Sequence, residues 1–161
     1  MTRLFANPYN IEFNGFYFET VEEYKVKSAK IPIEEYEIEF IDGEEIDCAL
    51  FKSLRVHQGN FGAYLDACDE WSEDQKRRVI IACYHGYGFD FGKNNPDDIE
   101  VDIYEVDSMK ELAEQFVDEG LFGEIPENIR YYLDYDLIAR DLEADYSTAE
   151  IAGTRLVYRL L

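Results

Sequence analysis

The side chains that could do chemistry in this chain are mainly carboxylates. Asp and Glu account for 36 of the 161 residues, against 15 Lys and Arg and only 2 His. A carboxylate pair can hydrolyse a glycosidic bond when its two members stand at a defined separation. With so many acids some pair will always meet that condition, so their abundance does not by itself predict a hydrolase.

Other residues that commonly mark active sites form no recognisable motif. His57 and His85 do not form a helical H-x-x-x-H pair, and the chain has no G-x-S-x-G, Walker or G-x-G-x-x-G sequence. Cys83 and His85 lie two residues apart, a spacing that points their side chains to different sides of a helix. We therefore predict that the chain is not an enzyme and uses no metal or other cofactor.

The charge balance indicates the kind of partner. Hydrophobic residues make up 47% of the chain, which predicts a folded core, yet the formal net charge is −21. Residues 86–150 alone hold 19 acids and 4 bases. A surface this negative repels nucleic acids and anionic membranes and attracts basic proteins. We predict no direct nucleic-acid binding and no membrane association.

Three further features predict a cytoplasmic protein. No apolar run approaches the roughly 20 residues that a membrane helix needs. The first residues read as a strand and not as a signal peptide. Cys48, Cys68 and Cys83 are odd in number and lack metal-ligand spacing, which favours reduced thiols.

The clearest helix signal begins at Ser108. Ser108 and Glu111 match the S-x-x-E capping box, and Gly120 is suited to end the same helix. Apolar residues recur at helical spacing between these ends, while Glu114 and Asp118 lie off the apolar stripe. The residues of the stripe are Met109, Leu112, Ala113, Phe116 and Val117.

Two shorter helices are predicted after this one. Pro126 suits the first turn of the first of them. Asp134 can cap the other. The apolar residues of that last helix predict a face that points to the core, formed by Leu137, Ile138 and Leu142.

Strands are predicted where polar and apolar residues alternate. Residues 35–41 and 98–105 alternate acids with apolar side chains, which is typical of a strand with one wet, acidic face. A hairpin is predicted around Gly153. Near residue 76 a tight basic cluster, formed by Lys76, Arg77 and Arg78, follows a second capping box at Ser72.

Together these elements predict an elongated α+β protein of two to three small modules. The expected modules are an α+β unit at 1–55, a helical unit at 56–92 and a β-α-α-α-β-β unit at 93–161. An extended shape would separate like charges better than a sphere.

The carboxylates can also be considered as a pattern. B-DNA carries one charge per roughly 1.7 Å of helix axis. Carboxylates on alternate residues of a strand stand roughly 6.7 Å apart, and residues three and four apart on a helix are about 4.5 and 6 Å apart along its axis. An acidic face is usually only a solvated face. Several such stripes with few interspersed bases nevertheless favour a polyanion mimic or a binder of a basic protein.

Three segments resemble a known family. EGLFGEIP at residues 119–126 and YLDYDLIARDL at residues 132–142 are similar to the C-terminal part of ArdA antirestriction proteins. EEYEIEFIDGEEI at residues 34–46 resembles the family's first-domain strand and acidic turn. Asn14–Tyr17 stands where many members have a Gly-x-Trp strand.

The resemblance implies a dimeric, elongated DNA mimic without enzymatic activity. Such a protein occupies the DNA groove of Type I restriction–modification enzymes, at the methyltransferase core, and so protects the DNA of mobile elements. Implied phosphate surrogates are Asp98, Glu100, Asp102, Glu105, Glu111, Glu114, Asp118 and Glu119 in the last module, and Glu35, Glu37, Glu39, Asp42, Glu44, Glu45 and Asp47 in the first. The family motif is matched by Leu121, Phe122, Gly123, Ile125 and Pro126, which we expect to pack in the fold or to form a dimer contact.

Composition alone leaves the target open. An acidic inhibitor or chaperone of another basic protein, such as a CRISPR effector or a nucleoid protein, would carry the same charge pattern. A carboxylate hydrolase is a third, less favoured interpretation.

Overall fold

The structure, a computed structural model, describes all residues from Met1 to Leu161. Seven helices, one short 3-10 helix and two three-stranded antiparallel sheets confirm the predicted α+β class. The chain divides into two compact units, Met1–Ile99 and Glu100–Leu161. No helix combines the length and the apolar character that crossing a lipid bilayer requires.

The first unit contains three strands and four helices. The strands are β1 (Arg3–Pro8), β2 (Phe16–Phe18) and β3 (Tyr36–Asp42), and the helices are α1 (Val21–Ser28), α2 (Glu45–Leu54), α3 (Phe61–Glu70) and α4 (Glu73–Tyr84), with the 3-10 helix Pro96–Asp98 after them.

The core of the first unit is strongly aromatic. The sheet has the order β2-β1-β3, with Leu4 and Ala6 of its central strand fully buried. Phe18, Tyr24 and Phe61 bring their ring centroids within 4.6–5.1 Å of one another. Such tilted and edge-to-face contacts stabilise aromatic pairs beyond the area that they bury.

Strand β3 follows the predicted alternation only in its first half. Tyr36 and Ile38 are buried and Glu37 between them is exposed. The pairing register with β1 then shifts, so that Asp42 lies opposite Arg3 while Phe40 lies opposite Leu4. A register shift of this kind changes which side chains face the core, so the alternation ends there.

Helix α2 was not predicted from the sequence, which indicated only a strand and an acidic turn within residues 34–46. Ile46 and Leu50 bury its inner face. The helix ends at Arg55, whose φ of 50° places it in the left-handed region. The end of α2 coincides with the predicted boundary near residue 55, but the helices of the predicted middle module belong to the same compact unit as the first strands. The three-module division therefore stays a prediction.

A buried ion pair joins three helices of the first unit. Lys76 Nζ of α4 lies 2.7 Å from Asp47 Oδ1 of α2, and both side chains are almost fully buried. The same ammonium donates to the Cys68 carbonyl of α3 at 2.9 Å. The Tyr64 hydroxyl donates to the Asp47 carbonyl at 2.7 Å. The buried charges are tolerated here because they are opposite in sign and lie in contact, and the ammonium has the Cys68 carbonyl as a second partner.

The second unit has the predicted β-α-α-α-β-β order. Its elements are β4 (Val101–Tyr104), α5 (Met109–Asp118), α6 (Glu127–Arg130), α7 (Tyr135–Leu142), β5 (Ser147–Ile151) and β6 (Thr154–Leu160), and the sheet order is β4-β6-β5. The β5–β6 turn contains Ala152 and Gly153 at φ of 51° and 77°. Two successive positive φ values fit a type I′ hairpin turn, which confirms the predicted hairpin.

All five predicted apolar positions of α5 are buried. Phe116 contacts Tyr104 of β4 and Tyr146, with centroid distances of 5.3 and 5.8 Å. Ala139 of α7 and Val157 of β6 belong to the same apolar cluster. This packing holds α5 so that its opposite face is directed to solvent.

The predicted inner face of α7 was wrong at one position. Leu137 is exposed, while Ile138 and Leu142 pack against the core as expected. Residues 135, 138, 139 and 142 share one side of a helix by their spacing of three and four. Leu137 is offset from that side by about one residue's rotation, roughly 100°.

We expect Lys76→Met to destabilise the first unit by about 3 kcal/mol, because it leaves the Asp47 carboxylate buried without its counterion. The double substitution Asp47→Leu, Lys76→Met restores at least about half of that loss, since no unpaired charge stays buried. Urea unfolding of both variants measures the difference. An equal loss in the single and double variants would show that the ion pair does not hold these helices together.

Candidate acidic binding surface

Hydrogen bonds fix helix α5 at both ends. The Ser108 hydroxyl accepts from the Glu111 backbone amide at 3.1 Å. The Glu111 carboxylate accepts from the amide of Asp107 at 3.0 Å, one residue beyond the position expected for a capping box. At the other end Gly120, with φ of 77°, has the left-handed conformation that terminates many helices. A rigid helix can display charges without an ordering cost on binding.

The outer face of α5 is acidic. Glu111, Glu114, Asp118 and Glu119 are all exposed, opposite the buried stripe. The first three are separated by about 4.5 and 6 Å along the helix axis. This face therefore carries negative charge at an interval comparable with a phosphate backbone.

Two of the predicted phosphate surrogates are paired with arginines. Arg130 of α6 lies 3.0 Å from Asp118. Arg159 of β6 lies 2.7 Å from Asp102 of β4, and its guanidinium also stands 5.2 Å from the centre of the Tyr146 ring. The bond to Asp102 raises the pKa of Arg159. Both carboxylates contribute less net charge to the surface than the sequence suggested.

The other predicted residues near β4 lie at the surface. Asp98 follows Pro96 in the 3-10 helix, Glu100 precedes the strand and Glu105 follows it, and all three acids are exposed. The Glu100 carbonyl accepts from the Leu161 amide at 2.9 Å, which extends the ladder between β4 and β6. These acids thus stand on or beside hydrogen-bonded backbone.

In the first unit the structure places six of the seven predicted acids at least partly in solvent. Asp47 is the exception: it is buried against Lys76 and cannot present its charge to a partner. This burial was not expected, because helix α2, which turns Asp47 inward, was not predicted from the sequence. The exposed acids are Glu35, Glu37, Asp42, Glu44 and Glu45, and Glu39 is partly buried.

The predicted basic cluster is largely hidden. The side chains of Lys76, Arg77 and Arg78 are only 7, 12 and 27% exposed. Arg77 and Arg78 bind the acids one helical turn earlier, Glu73 and Asp74, at 3.0 and 2.6 Å. These three bases therefore each form an ion pair with an acid of the same unit, and they offset little of the negative charge on the rest of the surface.

Sequence reasoning missed two exposed groups of acids. One lies at the junction of α3 and α4 and the other on and around α7. On α3, Asp66 lies three and four residues before Asp69 and Glu70, and around α7 the pairs 134/141 and 136/143 are seven residues apart. These helical spacings outside the buried stripe are a signal that could have identified both groups. The first group is Asp66, Asp69, Glu70, Glu73 and Asp74, and the second is Asp134, Asp136, Asp141 and Glu143.

The matched family motif lies in an exposed apolar segment. Leu121 and Phe122 are 62 and 53% exposed, whereas Ile125 is partly buried. Gly123 has a φ of 92°, a conformation that favours glycine. Pro126 precedes α6 as its N-cap residue and does not lie within its first turn. Tyr131 and Tyr132 add further exposed aromatic surface.

His57 takes part in a loop hydrogen bond, and the thiols of Cys68 and Cys83 are partly buried. His57 Nδ1 accepts from the Gly59 amide at 3.0 Å in the loop before α3. Burial raises the pKa of the Cys68 thiol to about 11, and burial also raises the pKa of Cys83. Both thiols are therefore protonated at neutral pH, the form that is a poor nucleophile.

Fold and charge define an acidic α+β protein whose carboxylates stand on capped helices and paired strands. The model of a family described as antirestriction protein (ArdA) matches residues 11–154. The chain therefore belongs to the ArdA family of antirestriction proteins, which confirms the resemblance. A search of curated proteins found no significant match.

Glu111 and Glu114 provide a matched pair for separating charge from stability. We expect Glu111→Ala to lower the free energy of unfolding by about 0.5–1 kcal/mol, because it removes the acceptor for the Asp107 amide. Glu114→Ala removes the same charge and changes stability by less than about 0.5 kcal/mol. Urea unfolding midpoints test this, and an equal effect of the two substitutions would contradict it.

Proposed function

We propose that this protein inhibits Type I restriction–modification enzymes by imitating DNA. Its anionic surface occupies the groove in which the methyltransferase core holds its substrate. Restriction of incoming DNA is then prevented, which protects the mobile element that carries the gene. Membership of the antirestriction family supports the proposal at the level of the process.

The observation that best supports DNA mimicry is that acidic side chains are more exposed to solvent than basic ones. Thirty-one of the 36 acids are exposed, against nine of the 15 Lys and Arg. Lys76, Arg77 and Arg78 lie largely buried in ion pairs, and Arg159 is half-buried beside Asp102. Carboxylates such as Glu37 and Glu114 face solvent on ordered elements. A partner groove built to bind phosphates would meet a largely one-signed surface.

The physical basis of the affinity would be the one that operates on DNA. Positive side chains that bind phosphates release condensed counterions, which makes binding strongly dependent on salt. Fixed carboxylates at similar spacing would engage the same side chains without the entropy cost of ordering a flexible tail. Asp102 and Asp118 contribute less to the contact because each is paired with an arginine, and Asp47 is excluded because it is buried. The proposed contact residues are Asp98, Glu100, Glu105, Glu111, Glu114 and Glu119 with Glu35, Glu37, Glu39, Asp42, Glu44 and Glu45.

Charge reversal tests the proposal. We expect the triple substitution Glu35→Lys, Glu37→Lys, Glu114→Lys to weaken inhibition at least about tenfold, if each exposed pair contributes about 0.5 kcal/mol. The measurement is cleavage of unmodified DNA by a Type I enzyme at increasing inhibitor concentration. Competition between the protein and target DNA for the methyltransferase core, at several salt concentrations, measures binding directly.

The control makes the same change in charge outside the proposed surface. Glu12→Lys, Glu22→Lys, Glu150→Lys replaces three exposed acids and is expected to weaken inhibition less. Equal loss in both triple variants would mean that only net charge matters, and the named surface would be wrong. Binding that is the same at low and high salt would contradict the mimicry itself.

We further propose that the protein acts as a homodimer through the exposed motif segment. Leu121 and Phe122 are large apolar side chains at the surface, and such residues are typical of interface cores. Leu121→Ser, Phe122→Ser is expected to shift the protein from dimer to monomer in sedimentation velocity, with unchanged secondary structure by circular dichroism. A monomeric unsubstituted protein at working concentration would remove this proposal.

A further inference from the structure

A pocket in the first unit combines aromatic walls with carboxylates. Trp71, Phe89 and Phe91 form a three-ring cluster with centroid distances of 5.3–5.8 Å. They line a pocket of about 420 Å³ together with one face of α3 and residues 94–97. The three aromatic side chains are each partly exposed, so the cluster is not closed off as a core.

The composition of the pocket selects for positive charge. Ala63 and Ala67 are one helical turn apart on α3 and leave space beside the helix. Asp66 and Glu70, also four residues apart, line the same side and are exposed. Asp97 adds a third carboxylate from the 3-10 helix, and no Lys or Arg lines the pocket.

The loop that forms the far wall is held in place by hydrogen bonds. The Asp90 amide donates to Asn94 Oδ1 at 2.8 Å, and the Gly92 amide donates to Asp90 Oδ1 at 2.9 Å. Gln75 Nε2 of α4 donates to Asp97 Oδ1, also at 2.9 Å. The pocket is therefore formed before any ligand binds, which lowers the ordering cost of binding.

We propose that this pocket binds a single arginine side chain of the basic partner protein. A guanidinium group stacks on aromatic rings and forms hydrogen bonds with carboxylates at the same time. An uncharged apolar ligand would gain nothing from the three carboxylates, and a phosphate would be repelled by them. The inference rests on the proposed function, because it supposes a partner with arginines in its DNA-binding groove.

The pocket would give the complex something that the acidic surface cannot provide. Charges spread over a surface attract a basic groove but permit several alignments. A cavity that accepts one side chain fixes a single register. The pocket residues Trp71 and Phe89 would thus act as an anchor within a wider electrostatic contact.

Trp71 is the only tryptophan of the chain, so its indole N–H gives one side-chain signal in a ¹H–¹⁵N correlation spectrum. We expect N-acetyl-arginine methylamide to shift this signal in a saturable way. The uncharged citrulline analogue should leave it unchanged, and the lysine analogue should bind more weakly because its ammonium does not stack as a plane. No saturable shift with the arginine compound, or an equal shift with the citrulline compound, would overturn the proposal.

Substitution of the pocket carboxylates tests whether the arginine compound binds in the pocket, and it leaves the three aromatic residues unchanged. Asp66→Asn, Glu70→Gln is expected to weaken binding of the arginine compound about fivefold, at about 0.5 kcal/mol for each exposed pair. Glu12→Gln, Glu22→Gln removes the same charge from two residues that do not line the pocket and should leave the affinity within about twofold, because exposed charges that do not contact the ligand are screened. Equal affinity in the two double variants would show that only the general field attracts the compound.

Two measurements on the unsubstituted protein, inhibition of a Type I enzyme and binding of the arginine compound, separate this proposal from the proposed function. If unsubstituted protein inhibits a Type I enzyme but its indole signal ignores the arginine compound, the pocket proposal fails and the function stands. If the compound binds specifically in the pocket but the protein inhibits no Type I enzyme, the pocket stands and its partner is a different basic protein.

Discussion

Repulsion among carboxylates is the constraint on which the rest of this structure depends. A chain with a formal net charge of −21 folds only if apolar burial exceeds the cost of bringing like charges together. Each unit meets this condition with a core of aromatic and aliphatic side chains, such as Phe18 and Tyr64 in the first and Leu112 and Phe116 in the second. The bases relieve repulsion locally, because many of them pair with acids inside the same unit. What stays at the surface is an excess of negative charge on a stable scaffold.

The acids also stabilise the elements that display them. Six of the seven helices carry an acid in their first turn, where the helix dipole favours negative charge. The ionised form of Glu23 is favoured further by its bond with Lys27, which lowers the pKa of the carboxyl group. Asp134 caps α7 by accepting from the Asp136 and Leu137 amides, both at 3.1 Å. An acidic surface and a folded chain are therefore compatible because helix starts provide many sites where a carboxylate is favourable.

Local signals in the sequence were sufficient to predict the order of helices and strands in the second unit. Ser108, Gly120 and Asp134 act at short range, through hydrogen bonds or backbone conformations that depend on a few neighbours. The position of Asp47 could not be predicted in the same way. Its burial depends on Lys76, which lies 29 residues further along the chain, and on a helix whose start carries no side-chain cap. The pairing of Asp102 with Arg159 likewise requires the β4–β6 register, which the sequence does not state.

The aromatic pocket illustrates the same limit for function. Trp71 ends α3, while Phe89 and Phe91 lie in a loop after α4, and their separation in sequence gave no reason to group them. Only the fold brings the three rings beside Asp66 and Glu70. A charge pattern can be read from composition and spacing, and it explains attraction to a basic protein of almost any kind. To fix one alignment between this protein and its partner, a site of defined shape is also needed. Such a site is formed by contacts between residues that are distant in sequence.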